Sequence, residues 1–162
     1  MSYISQKLPG VVEMTKILFV CHGNICRSTM AEFVLKDLAA KAGLTHQLEI
    51  ASAATSREEI GNDTHPGTKR KLDEMHIPYT KRKARQLTKA DYAHYDFLFG
   101  MDSANIRNML RLCGGDPDGK IHRLLDDTAH PRDIADPWYT GNFDETYDDV
   151  LEGCVSLLDR LF

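Results

Sequence analysis

The chain has 162 residues, 42% of them hydrophobic, which suits one globular domain whose core needs no disulfide or metal staple. Twenty basic side chains stand against twenty-four acidic ones, a net charge of -4 that argues against a nucleic-acid partner. No stretch of about twenty apolar residues is present to insert in a bilayer as a helix.

From the N-terminus, Lys7, Pro9, Gly10 and Glu13 interrupt any apolar run of signal-peptide length, so secretion is not expected. Residues 1–14 read as an N-terminal extension, expected to be flexible, and 15–162 as one folded domain. The first thirteen residues fit a leader, an added segment or an alternative start ahead of Met14. Ile17-Leu18-Phe19-Val20 is a short continuous apolar run, the pattern of a strand buried on both faces of a parallel sheet. After Arg27-Ser28, the residues Met30, Phe33, Val34, Leu38 and Ala42 recur at helical spacing, and Gly43 stops them as a C-cap would. Strand, loop and helix form the opening half of a βαβ unit.

Further along, Leu48 to Ser52 reads as a strand, Gly67 to Met75 as a helix and Ala84 to Leu87 as a short strand. Thr88 with Asp91 marks a helix N-terminus. Asp96 to Met101 is a second apolar strand, followed by a helix over Ser103 to Cys113 and a strand candidate at Lys120 to Leu125. Asp126 to Asn142 is the longest stretch without periodicity, carrying Pro131, Pro137 and Gly141, and such loops are often functional. From Asp144 onward, Tyr147, Val150, Leu151, Cys154, Val155, Leu158 and Leu161 form the apolar stripe of a terminal helix. The alternation predicts an α/β fold with an open, mainly parallel sheet, whose ligand site lies at the strand C-termini.

The loop after the first strand is Cys21-His22-Gly23-Asn24-Ile25-Cys26-Arg27-Ser28. It delivers the chain to a helix N-terminus, where free N–H groups and the positive end of the dipole attract an oxyanion. Gly23 permits close backbone approach, and Asn24 tolerates the left-handed conformation that lets the amides curl inward as a nest. The same donors are expected to stabilise a thiolate at Cys21. Arg27 offers a planar fork for two phosphate oxygens, and the Ser28 hydroxyl can donate to the Cys21 sulfur. Nucleophile, anion cradle and guanidinium within eight residues are the parts for phosphoryl transfer to sulfur. An inert buried Cys21 is the competing reading. A metal site at Cys21, His22 and Cys26 lacks the fourth ligand of structural zinc. Cys26 fits either a reversible disulfide partner for Cys21 or a small packing residue. Cys113 and Cys154 fall on helical apolar patterns and are expected in the core. The four cysteines show no export framework, so a reducing, cytoplasmic setting is expected.

Val20 to Ser28 closely resembles the signature of the low-molecular-weight protein tyrosine phosphatases. Ser52-Ala53-Ala54-Thr55-Ser56, Gly100-Met101-Asp102 and Asp136-Pro137-Trp138-Tyr139 resemble that family's second-strand end, later strand and general-acid loop, in the same order. The resemblance runs from about Thr15 to the C-terminus. It implies a single three-layer αβα domain around a four-stranded parallel sheet, of flavodoxin-like type. It implies hydrolysis of phosphotyrosine through a phosphocysteine, with no cofactor and no metal. Cys21 would be the nucleophile, Arg27 the phosphate binder and Asp136 the acid, with Asn24, Ser28 and Ser52 holding the loop in shape. His22 stands where members commonly carry a less polar side chain, and Thr29 where many have proline.

Residue chemistry agrees with these roles. A phenolate of pKa near ~10 leaves slowly unless protonated, so a carboxylic acid is needed opposite the thiolate. Pro137 holds Asp136 in extended geometry and presents it. Asp126, Asp127 and Asp133 are rivals that spacing alone does not remove; the family order favours Asp136. Trp138 and Tyr139 are expected as aromatic walls around a phenyl ring, with plain packing as the alternative. Lys69-Arg70-Lys71, Lys81-Arg82-Lys83 and Arg85 read as a solvated face, with steering of acidic phosphopeptides as the alternative. The histidines beyond the loop, His65 and His76 among them, show no catalytic spacing.

The expected partner is a phosphotyrosine-containing protein, acted on by a monomer or weak dimer that phosphate-like oxyanions inhibit. Three other readings compete. Arsenate reductases share the anion loop but need a close cysteine pair that this chain lacks, and protein arginine phosphatases carry threonine where Ile25 stands. A silent phosphoprotein-binding domain would not need nucleophile, arginine and acid together.

Overall fold

Ile17, Leu18, Phe19 and Val20 are all fully buried, and their side chains divide between the two faces of one sheet. Ile17 and Phe19 join one apolar cluster with Cys21, while Leu18 and Val20 join another. Both faces of this strand are therefore covered, which is why its sequence is continuously apolar rather than alternating. The structure, a computed structural model, describes residues 13–162. Most of the expected N-terminal extension thus lies outside the described residues.

The sheet has four parallel strands, β1 (Thr15–Cys21), β2 (Leu48–Ala54), β3 (Phe97–Gly100) and β4 (Ile121–Arg123), in the order β2-β1-β3-β4. Among the described residues six helices surround it: α1 (Arg27–Lys41), α2 (Pro66–Glu74), α3 (Lys89–His94), α4 (Ser103–Cys113), α5 (Pro137–Thr140) and α6 (Phe143–Leu161). Met30, Phe33, Val34 and Leu35 of α1 pack with Tyr147, Val150, Cys154 and Leu157 of α6 on one face. Tyr92 of α3 and Met109 of α4 cover the other. The result is the expected three-layer flavodoxin-like αβα arrangement. Close approach of α6 depends on Gly153, because a side chain there would run into Leu124.

The capping signal read at Thr88 and Asp91 forms a reciprocal capping box at the start of α3. Two expectations need correction. Ala84–Leu87 is not a strand: only Gln86 bridges Ala54, through bonds from Ala54 N to Arg85 O and from Leu87 N to Ala54 O. The polar side chains of Arg85 and Gln86 bond to Asp91 and to the Thr55 carbonyl, so this segment braces β2 rather than extending the sheet. The aperiodic stretch after Asp126 also contains α5, a single turn too short to leave a helical period in the sequence.

Candidate active site

β1 is central in the sheet, and the chain leaving it passes directly into α1. The first turn of α1 has no side-chain cap, with Cys26 at the N-cap position. Loop carbonyls are bonded outward: Cys21 O accepts from Thr55 N, His22 O from Ser56 N, Ile25 O from His65 N and Cys26 O from the Thr68 hydroxyl. Among the described residues, no backbone N–H of residues 22–28 donates a hydrogen bond. A curl of free donors at a helix N-terminus is what an oxyanion requires.

Asn24 takes the left-handed backbone conformation at φ 57° and is fully buried. Its Nδ2 donates to Ser28 Oγ at 2.9 Å, and its Oδ1 accepts from the Arg82 guanidinium and from Arg85 N. Every polar atom of this side chain is used in fixing the curl. The Cys21 thiol donates to the same Ser28 oxygen at 3.1 Å. In the thiolate form the hydroxyl proton can turn toward sulfur, because Asn24 already fills an acceptor position on Oγ.

Arg27 is 2% exposed. Its Nη1 donates to Asp102 Oδ2 at 2.6 Å and to the Ile134 carbonyl at 2.9 Å, and its Nη2 donates to Asp136 Oδ2 at 3.4 Å. Its Nε is buried with no partner among the described residues. Burial opposes the charge, but the Cys21 sulfur and the bond to Asp102, joined by Asp136, outweigh it and raise the pKa. A fixed cation thus keeps one unused buried donor, an arrangement suited to an oxyanion.

Asp136 is the N-cap of α5, extended at ψ 114°, and its Oδ1 accepts from Trp138 N at 3.0 Å. The rival carboxylates are engaged elsewhere: Asp126 and Asp133 with Arg123, and Asp127 with Arg160. An open cleft is lined by Cys21, His22, Gly23, Ile25, Cys26, Asp136, Trp138 and Tyr139. Trp138 and Tyr139 are exposed on its wall.

Burial, first of all, pushes the Cys26 thiol up to about 12, with the Cys21 and Asp136 charges adding to it and Arg27 opposing. Cys26 packs with Ile25, Ala84 and Phe143. Cys154 is fully buried against α1, and Cys113 packs on the opposite sheet face, so neither approaches the loop. Among the described residues no group of three or more His, Cys, Asp or Glu is arranged to hold a metal ion. No helix among them is long and apolar enough to cross a membrane.

Ser52 is placed differently from its expected role. Its hydroxyl donates to Glu32 on α1 at 2.6 Å, and no bond joins it to the loop among the described residues. The bracing comes instead from Arg82 and Arg85, read from the sequence as part of a solvated face. Glu58 and Glu59 also line the cleft, with Glu58 bonded to His22 Nε2 at 3.0 Å. Asp102, two residues beyond β3, is the N-cap of α4, and an Asp between an apolar strand and a helical pattern is the signal that marks it.

Free amides at a helix N-terminus, with Cys21 and Asp136 lining one cleft, are suited to phosphoryl transfer through a cysteine. A family model for low molecular weight phosphotyrosine protein phosphatase matches residues 16–162. The chain therefore belongs to that family of cysteine-dependent phosphatases. It is 40% identical over 147 residues to the low molecular weight protein-tyrosine-phosphatase YfkJ of Bacillus subtilis, covering 90% of this chain and 94% of that one. The crystal structure of YfkJ superposes with a TM-score of 0.87, over 91% of this chain and 94% of that one. SP-PTP from Streptococcus pyogenes, a low molecular weight protein tyrosine phosphatase, is 39% identical with a TM-score of 0.83, covering 92% and 94%. A Drosophila arginine phosphatase is 26% identical with a TM-score of 0.83, covering 91% and 98%.

Proposed function

We propose that Cys21, Arg27 and Asp136 carry out the phosphatase reaction on phosphotyrosine in proteins. The observation that bears most weight is the unpartnered, buried Arg27 Nε beside a loop whose amides all remain unused. The phosphate dianion fills that curl and takes the free guanidinium donor. The Cys21 thiolate attacks phosphorus as the bond to the phenolic oxygen breaks, and Asp136 passes its proton to the departing oxygen. Water then attacks the phosphocysteine with Asp136 taking its proton, the P–S bond breaks, and inorganic phosphate leaves with the thiolate restored. Ser28 stabilises the sulfur each time it carries negative charge.

Trp138 and Tyr139 form the wall for the aryl ring, and Ile25 presents an apolar, β-branched surface that suits an aryl group better than a guanidino group. His22, Gly23 and Cys26 complete the phosphate loop. The partner is a phosphotyrosine-bearing protein in the cytoplasm, the enzyme acts as a monomer or weak dimer, and phosphate-like oxyanions compete for the loop.

The test compares phosphotyrosine, phosphoserine and phosphoarginine peptides, in chelator, with the wild type, Cys21→Ser and Asp136→Ala. Phosphotyrosine is expected to be turned over fastest, with no turnover in Cys21→Ser and about 10²- to 10⁴-fold loss of kcat in Asp136→Ala. Wild-type rates in Cys21→Ser would remove the assignment.

A further inference from the structure

His65 lies outside the phosphate loop and outside the acid loop, yet it touches both. Its backbone N–H donates to the Ile25 carbonyl at 2.9 Å, one of the four outward bonds that hold the loop. Its Nδ1 accepts from Gly67 N at 2.9 Å and so caps α2. That bond places the ring proton of the neutral form on Nε2. The ring stacks on Phe143 at 5.4 Å and 20°, and Trp138 meets it edge-on at 5.7 Å and 77°.

Phe143 in turn packs with Ile25, Cys26 and Ala84 beneath the loop. Gly67 makes room for it, because any side chain there would run into the Phe143 ring. Trp138 is 58% exposed, and His65 is its one ring contact among the described residues. The indole therefore depends on His65 for a fixed orientation, and His65 is itself fixed by α2 and Phe143.

We propose that His65 is a positioning residue that holds Trp138 as a rigid wall of the aryl pocket and ties that wall to the phosphate loop through Ile25. This rests on the reading of Trp138 as a pocket wall. Orientation of the wall governs how well the aryl group is held, not how well the phosphate is, since the loop amides and Arg27 are separate from it.

The test separates the two roles of the side chain. His65→Asn keeps an acceptor for Gly67 N but removes the ring; His65→Phe keeps the ring but removes the acceptor. Trp138 is the sole tryptophan, so its emission reports its surroundings directly. His65→Asn is expected to retain the wild-type melting temperature, shift Trp138 emission toward that of an exposed indole and raise KM for a phosphotyrosine peptide about three- to tenfold. Its kcat and its inhibition constant for inorganic phosphate should stay near wild type. His65→Phe should show the reverse, a lower melting temperature with KM and emission little changed. Wild-type KM and emission in His65→Asn, with KM raised in Trp138→Ala, would overturn the coupling alone. Wild-type KM in Trp138→Ala as well would overturn the wall itself, and the coupling with it.

Discussion

Arg27 Nη1 lies 2.6 Å from Asp102 Oδ2, an ion pair between residues 75 positions apart that aims the guanidinium at the end of β1. The same carboxylate accepts from Asn105 N at 2.7 Å through its other oxygen and caps α4. One side chain thus starts a helix on one side of the sheet and orients the Arg27 guanidinium on the other.

Asp102→Asn separates these duties, because asparagine caps a helix about as well as aspartate but carries no charge. A lost charge-assisted bond of about 1.5–3 kcal/mol corresponds to roughly a 10- to 100-fold fall in kcat/KM for phosphotyrosine. The melting temperature should move by only a few degrees, about what 1 kcal/mol produces in a chain of this size. Steady-state kinetics and a thermal melt check both halves.

Asn24→Ala should be more disruptive. It removes the bonds to Ser28, Arg82 and Arg85 at a fully buried site and leaves alanine in a left-handed conformation. A loss of about 2–4 kcal/mol is expected, together with activity. Arg82→Ala removes one of these braces and should cost about 1 kcal/mol with a partial loss of kcat. Denaturant unfolding ranks the two.

Asp63 links stability to acid. It accepts from Lys69 Nζ at 2.8 Å, Thr64 N at 2.7 Å and Arg82 N at 3.2 Å. The Lys69 bond leads in lowering its pKa from 3.8 to about 2, against a smaller opposing effect of burial. A depressed carboxylate stabilises the fold above its unfolded pKa, and that contribution disappears as pH falls toward the folded one. The gap in urea midpoint between wild type and Asp63→Asn should be constant above about pH 4 and close between 3.8 and about 2. A gap that widens with acid would contradict this account.

Glu59 places a carboxylate on the lining of the cleft that holds Cys21, so on the proposed reading it opposes an entering dianion. Its stem lies against Gly23, and its carboxylate accepts from Asn62 Nδ2 at 2.6 Å, with no cationic partner among the described residues. Glu59→Gln should lower KM for phosphotyrosine about two- to fivefold at low ionic strength. The difference should fade as salt rises toward ~0.5 M, because the site is open to water. A KM series in sodium chloride checks it.

Much of this could be read from the residues in order. The run at Ile17 announces a strand covered on both faces, the terminal stripe announces α6, and the loop's chemistry is carried by residues 21–28, which are contiguous. What stayed hidden is non-local. Arg82 looks like one of several surface cations until the fold sets it against Asn24. His65 has no partner at catalytic spacing because its partners, Ile25, Trp138 and Phe143, come from three separate segments. The family resemblance puts Ser52 among the residues that hold the loop, but its hydroxyl turns to Glu32 on α1. Ala84 to Leu87 has strand-like composition, and only the fold shows that its polar atoms are claimed by Asp91 and Thr55.

The position of β1 between β2 and β3 has a dynamic consequence. The strand that presents Cys21 is hydrogen-bonded along both edges, so the loop cannot detach without breaking the middle of the sheet. In deuterium exchange the amides of Ile17 to Val20 should open only when the whole domain unfolds. The loop that follows β1 is thus anchored in the slowest-opening part of the molecule.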